Sequence, residues 1–170
     1  MSAALLVIDM QNDYLYERRK RRFSYDTEQL TSAVNALIHR YRKDGCAIVY
    51  IRHIIQNLPT NRLLFGYSIA GTEGAKLYDG LEVVSEHIFD KLVGDALSNR
   101  ALRSFLKDRG CDTLYLSGLD ACGCVAATAL GAVKRGIQAY ILREGVATVF
   151  DEPMITQTTK KLERAGVRYI

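Results

Sequence analysis

Three short runs, LLVI (Leu5 to Ile8), AIVYI (Ala47 to Ile51) and TLYL (Thr113 to Leu116), have apolar interiors without alternation. A strand with one face in water alternates, and a strand covered on both faces does not, so runs of this kind belong to a parallel sheet sandwiched between helices. Six segments qualify: Ala4 to Ile8, Ala47 to Ile51, Glu86 to Phe89, Thr113 to Leu116, Gln138 to Leu142 and Val167 to Ile170. Between them the period turns helical. Thr27 to Lys43 carries Leu30, Val34, Leu37, Ile38 and Tyr41 before Gly45, Arg100 to Arg109 stops at Gly110, Cys124 to Lys134 stops at Gly136, and Pro153 to Ala165 begins on a proline. The pattern predicts an α/β fold, a three-layer α/β/α arrangement around a mostly parallel, doubly wound, six-stranded sheet. Ile54 to Gly80 has no clear period and reads as a long functional or flexible loop.

A chain of 170 residues with 13 glycines and only 2 prolines fits one domain spanning residues 1–170, with no Pro-rich linker. No window approaches the roughly 18 apolar residues of a membrane span. The first apolar run stops at Asp9, with no basic segment before it and no small-residue cleavage site after it, so a cytoplasmic protein is expected. Cys46, Cys111, Cys122 and Cys124 are too unevenly spaced for a disulfide framework, and no pair of CxxC knuckles suggests zinc. The net charge of +4 comes from one place: without Arg18, Arg19, Lys20, Arg21 and Arg22 the chain has 18 basic against 19 acidic residues. One basic run, even flanked by Tyr14, Tyr16, Phe23 and Tyr25, argues for a solvated loop or subunit contact more than for a nucleic-acid surface.

Ligands of an open parallel sheet sit beyond the carboxyl ends of its strands. Strand one ends in Asp9, strand three runs into Asp90 and Lys91, and strand four runs into Ser117, Gly118 and the turn that reaches Cys124. A carboxylate that accepts a thiol proton, an ammonium that stabilises a thiolate and a thiol at a helix start are the parts of an activated cysteine nucleophile. Cys124 taken singly also reads as a buried structural cysteine; Asp9 and Lys91 favour the nucleophile. On this reading the Cys124 thiol should be acidic and the most reactive of the four. Cys46 and Cys111 precede strands at the opposite edge and read as small hydrophobes. Gly118 to Gly123 has the spacing of a phosphate loop, but Cys124 and Val125 stand where Lys and Ser or Thr are needed. Cys122 and Cys124 also form a CxC pair, a weaker redox or metal signal.

LLVIDMQNDY (Leu5 to Tyr14), GTEGAKL (Gly71 to Leu77), FDKLVGDAL (Phe89 to Leu97) and GLDACGCVAATALGAVKRG (Gly118 to Gly136) together resemble the isochorismatase-like cysteine hydrolases, a family that includes nicotinamidases and N-carbamoylsarcosine amidohydrolases. The resemblance implies a catalytic triad of Asp9, Lys91 and Cys124 and a non-proline cis peptide between Leu119 and Asp120. It also implies an oxyanion hole at Asp120 and Cys124, substrate contacts at Leu119, Asp120 and His53, and a homo-oligomer. The activity implied is hydrolysis of an amide, carbamoyl or ureido C–N bond of a small molecule through a thioester. A silent homologue that binds or scaffolds is the alternative.

Departures refine this. The Asp-x-His metal element of nicotinamidases falls on Ile51, Arg52 and His53, so its carboxylate is missing and neither metal nor other cofactor is expected. His53 then contacts substrate or simply belongs to the loop. Asp95 and Asp120 are acids at unusual positions; they imply a cationic or hydrogen-bond-donating substrate, or an inactive pocket.

Overall fold

A computed structural model describes residues 2–19 and 21–170; Lys20, within the basic run, lies outside the described residues. Strands β1 (Ser2–Ile8), β2 (Ala47–His53), β3 (Ile88–Lys91), β4 (Cys111–Gly118), β5 (Gln138–Val146) and β6 (Arg168–Tyr169) form one sheet in the order β3-β2-β1-β4-β5-β6. Every pair is parallel. All six expected strands are present with changed bounds: β1, β2, β4 and β5 run longer, β3 starts two residues later and continues to Lys91, and β6 is only Arg168–Tyr169.

The helices are α1 (Asn12–Leu15), α2 (Thr27–Lys43), α3 (Pro59–Leu64), α4 (Arg100–Asp108), α5 (Cys124–Lys134) and α6 (Glu152–Arg164). Side-chain caps start three of them: Asp26 accepts from Gln29 N, Asn99 from Leu102 N and Asp151 from Met154 N. Helix α5 begins instead at Gly123, which offers no cap. The expected loop from Ile54 to Gly80 contains α3 and a single 3₁₀ turn at Glu73–Ala75. No residue of α3 is buried, so the segment has no apolar period to read.

Alternate residues of β1 feed two cores. Ala4, Leu6 and Ile8 pack with Leu102, Leu106, Val125, Ala129 and Leu162 on one face. Leu5 and Val7 pack with Leu30, Val34, Leu37 and Ile38 of α2 on the other. Positions 4 to 8 are wholly inaccessible, which is why their sequence shows no alternation. Where β1 and β4 separate, Gly118 has φ +99, and a Cβ there would lie 2.1 Å from the Ile8 carbonyl oxygen. Only glycine permits that approach. Among the described residues no helix is long and apolar enough to cross a membrane.

Candidate active site

The central strands end side by side. Ile8 pairs with Ile51 on one side and Gly118 on the other, and His53 pairs with Lys91. Residues distant in sequence thus converge on the carboxyl edge where the order reverses about β1. Asp9, just past β1, takes the left-handed conformation at φ 55, which turns the chain sharply into α1.

Lys91 is the hub. Its ammonium donates to Asp9 Oδ2 at 2.8 Å and Cys124 Sγ at 3.1 Å, and lies 3.3 Å from His53 Nδ1. Lys91 is 2% exposed and Asp9 3%. Burial works against the Lys91 charge, but Asp9 and then Cys124 outweigh it, so its pKa is raised. The Cys124 thiol is pushed up to about 12, by burial first and by Asp9 second, with Lys91 acting in the opposite sense. The expected acidic thiol is thereby corrected: a helix start and a cation do not offset burial beside a carboxylate. Asp9 Oδ1 is buried with no hydrogen-bond partner.

Five backbone amides of the turn after β4 are engaged. Leu119 N binds Ile8 O, Ala121 N binds Ala147 O, Gly123 N and Val125 N bind Asp120 O, and Cys122 N binds Asp120 Oδ1. From Leu119 to Val125, Asp120 N and Cys124 N remain without an acceptor. The Leu119–Asp120 peptide is cis. Leu119 itself is buried in the α2-side core.

The unusual acids have structural work. Asp120 accepts from Cys122 N and Thr148 Oγ1 on one oxygen, and from Tyr25 Oη and Val149 N on the other, at 2.8 to 3.0 Å. Four donors occupy the four lone-pair sites of a carboxylate, leaving none for a substrate cation. Asp95 accepts from Leu97 N and pairs with Arg135, just past the end of α5. Of the alternatives the sequence left open for these acids, a cationic substrate finds no support in either carboxylate.

Part of the basic run is likewise engaged. Arg19 pairs with Asp13 and donates to Gly66 O; Arg22 donates to Phe65 O and lies 4.5 Å above the Tyr67 ring. These contacts bind the segment to residues 65–68, with Tyr14, Phe23 and Tyr67 packed edge to face beneath. Tyr14 adjoins the site: burial, then the charge of Asp9, pushes its hydroxyl pKa up. A surface cleft of about 680 Å³, bounded by Tyr16, Asp26, Glu28 and Tyr78, contains none of the converging residues; chemistry rather than size marks the site.

Sequence reasoning missed Gln11. Its buried amide accepts from His53 N at 2.7 Å and donates to His53 O at 3.1 Å and Ala75 O at 2.8 Å. The LLVIDMQNDY motif contained it, but an amide carries no chemistry of its own to single it out. The metal element does not fit. Ile51 is buried in the core, Arg52 pairs with Asp90, and Nδ1 of His53 faces an ammonium. Among the described residues no three His, Cys, Asp or Glu side chains are grouped to hold a metal ion.

The sequence matches the isochorismatase domain over residues 3–169. It is 26% identical over 149 residues to an uncharacterised isochorismatase-family protein of Bacillus subtilis (strain 168), covering 87% of this chain and 79% of the relative. It is also 28% identical over 144 residues to a probable inactive nicotinamidase of Arabidopsis thaliana, covering 78% and 73%. The structure is similar to that of N-carbamoylsarcosine amidase from Thermoplasma acidophilum, with a TM-score of 0.79, 25% identity and coverage of 99% and 95%. A domain match across nearly the full length, on a sheet of matching topology, makes the chain a member of the isochorismatase family of hydrolases.

Proposed function

We propose that the protein hydrolyses an amide, carbamoyl or ureido C–N bond of a small molecule through a thioester on Cys124. The observation that carries this is the single ammonium of Lys91, bonded at once to the Asp9 carboxylate and the Cys124 sulfur. Asp9 takes the thiol proton as sulfur attacks the carbonyl carbon. The two amides without acceptors, Asp120 N and Cys124 N, suit the oxyanion of the tetrahedral intermediate. When the C–N bond breaks, the Asp9 proton passes to the departing nitrogen. Water then loses a proton to Asp9, attacks the thioester and releases the acid, and the proton returns to sulfur. Lys91 stays charged throughout and holds base and nucleophile in register.

In this reading Leu119 and Asp120 meet substrate through their backbone and His53 through its ring. Self-association is supported by Leu63 and Leu64 of α3, 87% and 72% exposed. A small uncharged substrate in the cytoplasm completes it. Cys124→Ala should abolish ammonia release from a panel of nicotinamide, ureido and carbamoyl compounds while circular dichroism stays unchanged. Full activity in that variant overturns the mechanism. Likeness to a probable inactive relative favours a second reading, a silent binding protein; it holds if no compound is turned over and Cys124 resists alkylation even at alkaline pH.

A further inference from the structure

An ammonium has three N–H bonds and no lone pair. At Lys91 these face three acceptors: Asp9 Oδ2, Cys124 Sγ and His53 Nδ1. The Nδ1 atom therefore presents its lone pair, and a neutral imidazole in that state carries its proton on Nε2. Among the described residues nothing accepts from Nε2, and the atom is not sealed from solvent. Gln11 holds the His53 backbone at both its N–H and its carbonyl, and the bond from Lys91 orients the ring itself.

We propose that His53 is a specificity-determining residue, fixed by Lys91 as the Nε2–H imidazole so that this N–H reads a hydrogen-bond acceptor on the substrate. The proposal rests on the amide-hydrolase reading of the same site and narrows its substrate class. The charges of Asp9 and Lys91 cancel, and the thiol is neutral. An uncharged amide bearing an acceptor atom, such as a ring nitrogen or second carbonyl, matches that balance. The groups around His53 favour its neutral form: burial and Lys91 on β3 lower its pKa, while Asp9 beyond β1 opposes them less strongly. Cys124 of α5 lies across Lys91, and the nearby Arg52–Asp90 pair neutralises itself.

Two measurements test this. Long-range proton–nitrogen NMR of the imidazoles in the whole chain should find His53 neutral and protonated on Nε2 at mildly acidic pH. In Lys91→Met the ring should become a tautomer mixture and titrate at higher pH. A charged or Nδ1-protonated His53 in the unmodified protein overturns the proposal, whether or not the variant folds. The second measurement compares kcat/KM within pairs of primary amides that differ by one acceptor atom, beginning with nicotinamide and benzamide. The preference for the acceptor should be about tenfold, the size of one neutral hydrogen bond. It should fall to near one in His53→Leu and recover in part in His53→Gln, whose side chain keeps an N–H. A preference that survives His53→Leu, or is missing from every pair in the unmodified protein, overturns it. Failure to turn over any amide counts against the amide-hydrolase reading instead, and the NMR spectrum then decides the proton's place.

Discussion

The acidity of Cys124 is set by burial and then tuned by two neighbours of opposite sign, which separate catalysis from reactivity. Asp9 raises the thiol pKa and Lys91 lowers it, with burial the larger influence. Asp9→Asn removes the negative charge, so its iodoacetamide labelling profile at Cys124 should move to lower pH even though turnover is lost with the base. Lys91→Met should move the profile to higher pH. It also strands a buried carboxylate, a loss of about 3–5 kcal/mol in stability. Mass-spectrometric mapping across pH reads the labelling, and identical profiles in the three proteins would remove the electrostatic account. The grouping of Asp9, Lys91 and Cys124 was legible because each is a reactive type at a strand end or at the helix start that follows one. The thiol's state was not, because position predicts a helix start but not how completely neighbouring segments exclude water.

At the scale of elements, Asp120 ties three segments together: the turn after β4, Tyr25 ahead of α2, and Thr148–Val149 beyond β5. Asp120→Ala leaves Cys122 N, Val149 N and two hydroxyls without this acceptor and should cost about 1–3 kcal/mol. Amide exchange should quicken at Ala121, whose N–H binds Ala147 O in the same junction. Unchanged exchange there would mean that the carboxylate does not hold the segments together. This role was hidden in the sequence, where Asp120 lies 95 residues from one partner and 28 from another. Its acid type suggested a substrate contact instead. Long helices were readable because one-sided burial imposes a period, and the inner strands because burial on both faces leaves unbroken apolar runs; α3, with Leu63 and Leu64 in solvent, has neither imprint.

For the molecule as a whole, β1 is the shared wall of two cores, so its residues test both. Leu6→Ala in the α5 side and Leu5→Ala in the α2 side should each lower unfolding free energy by about 2–5 kcal/mol. Urea titration should find one transition in each variant; separate transitions would mean that the faces unfold independently. The position of β1 also sets an order in time. It is made first, meets β2 at residues 47–53, and waits for its other neighbour until residues 111–118 have been synthesised. At about 5–20 residues per second that interval lasts several seconds. Throughout it, the least accessible strand of the finished protein has an open edge, a ready template for a neighbouring nascent chain. A message that breaks off before Cys111 therefore yields an adhesive fragment rather than a smaller enzyme.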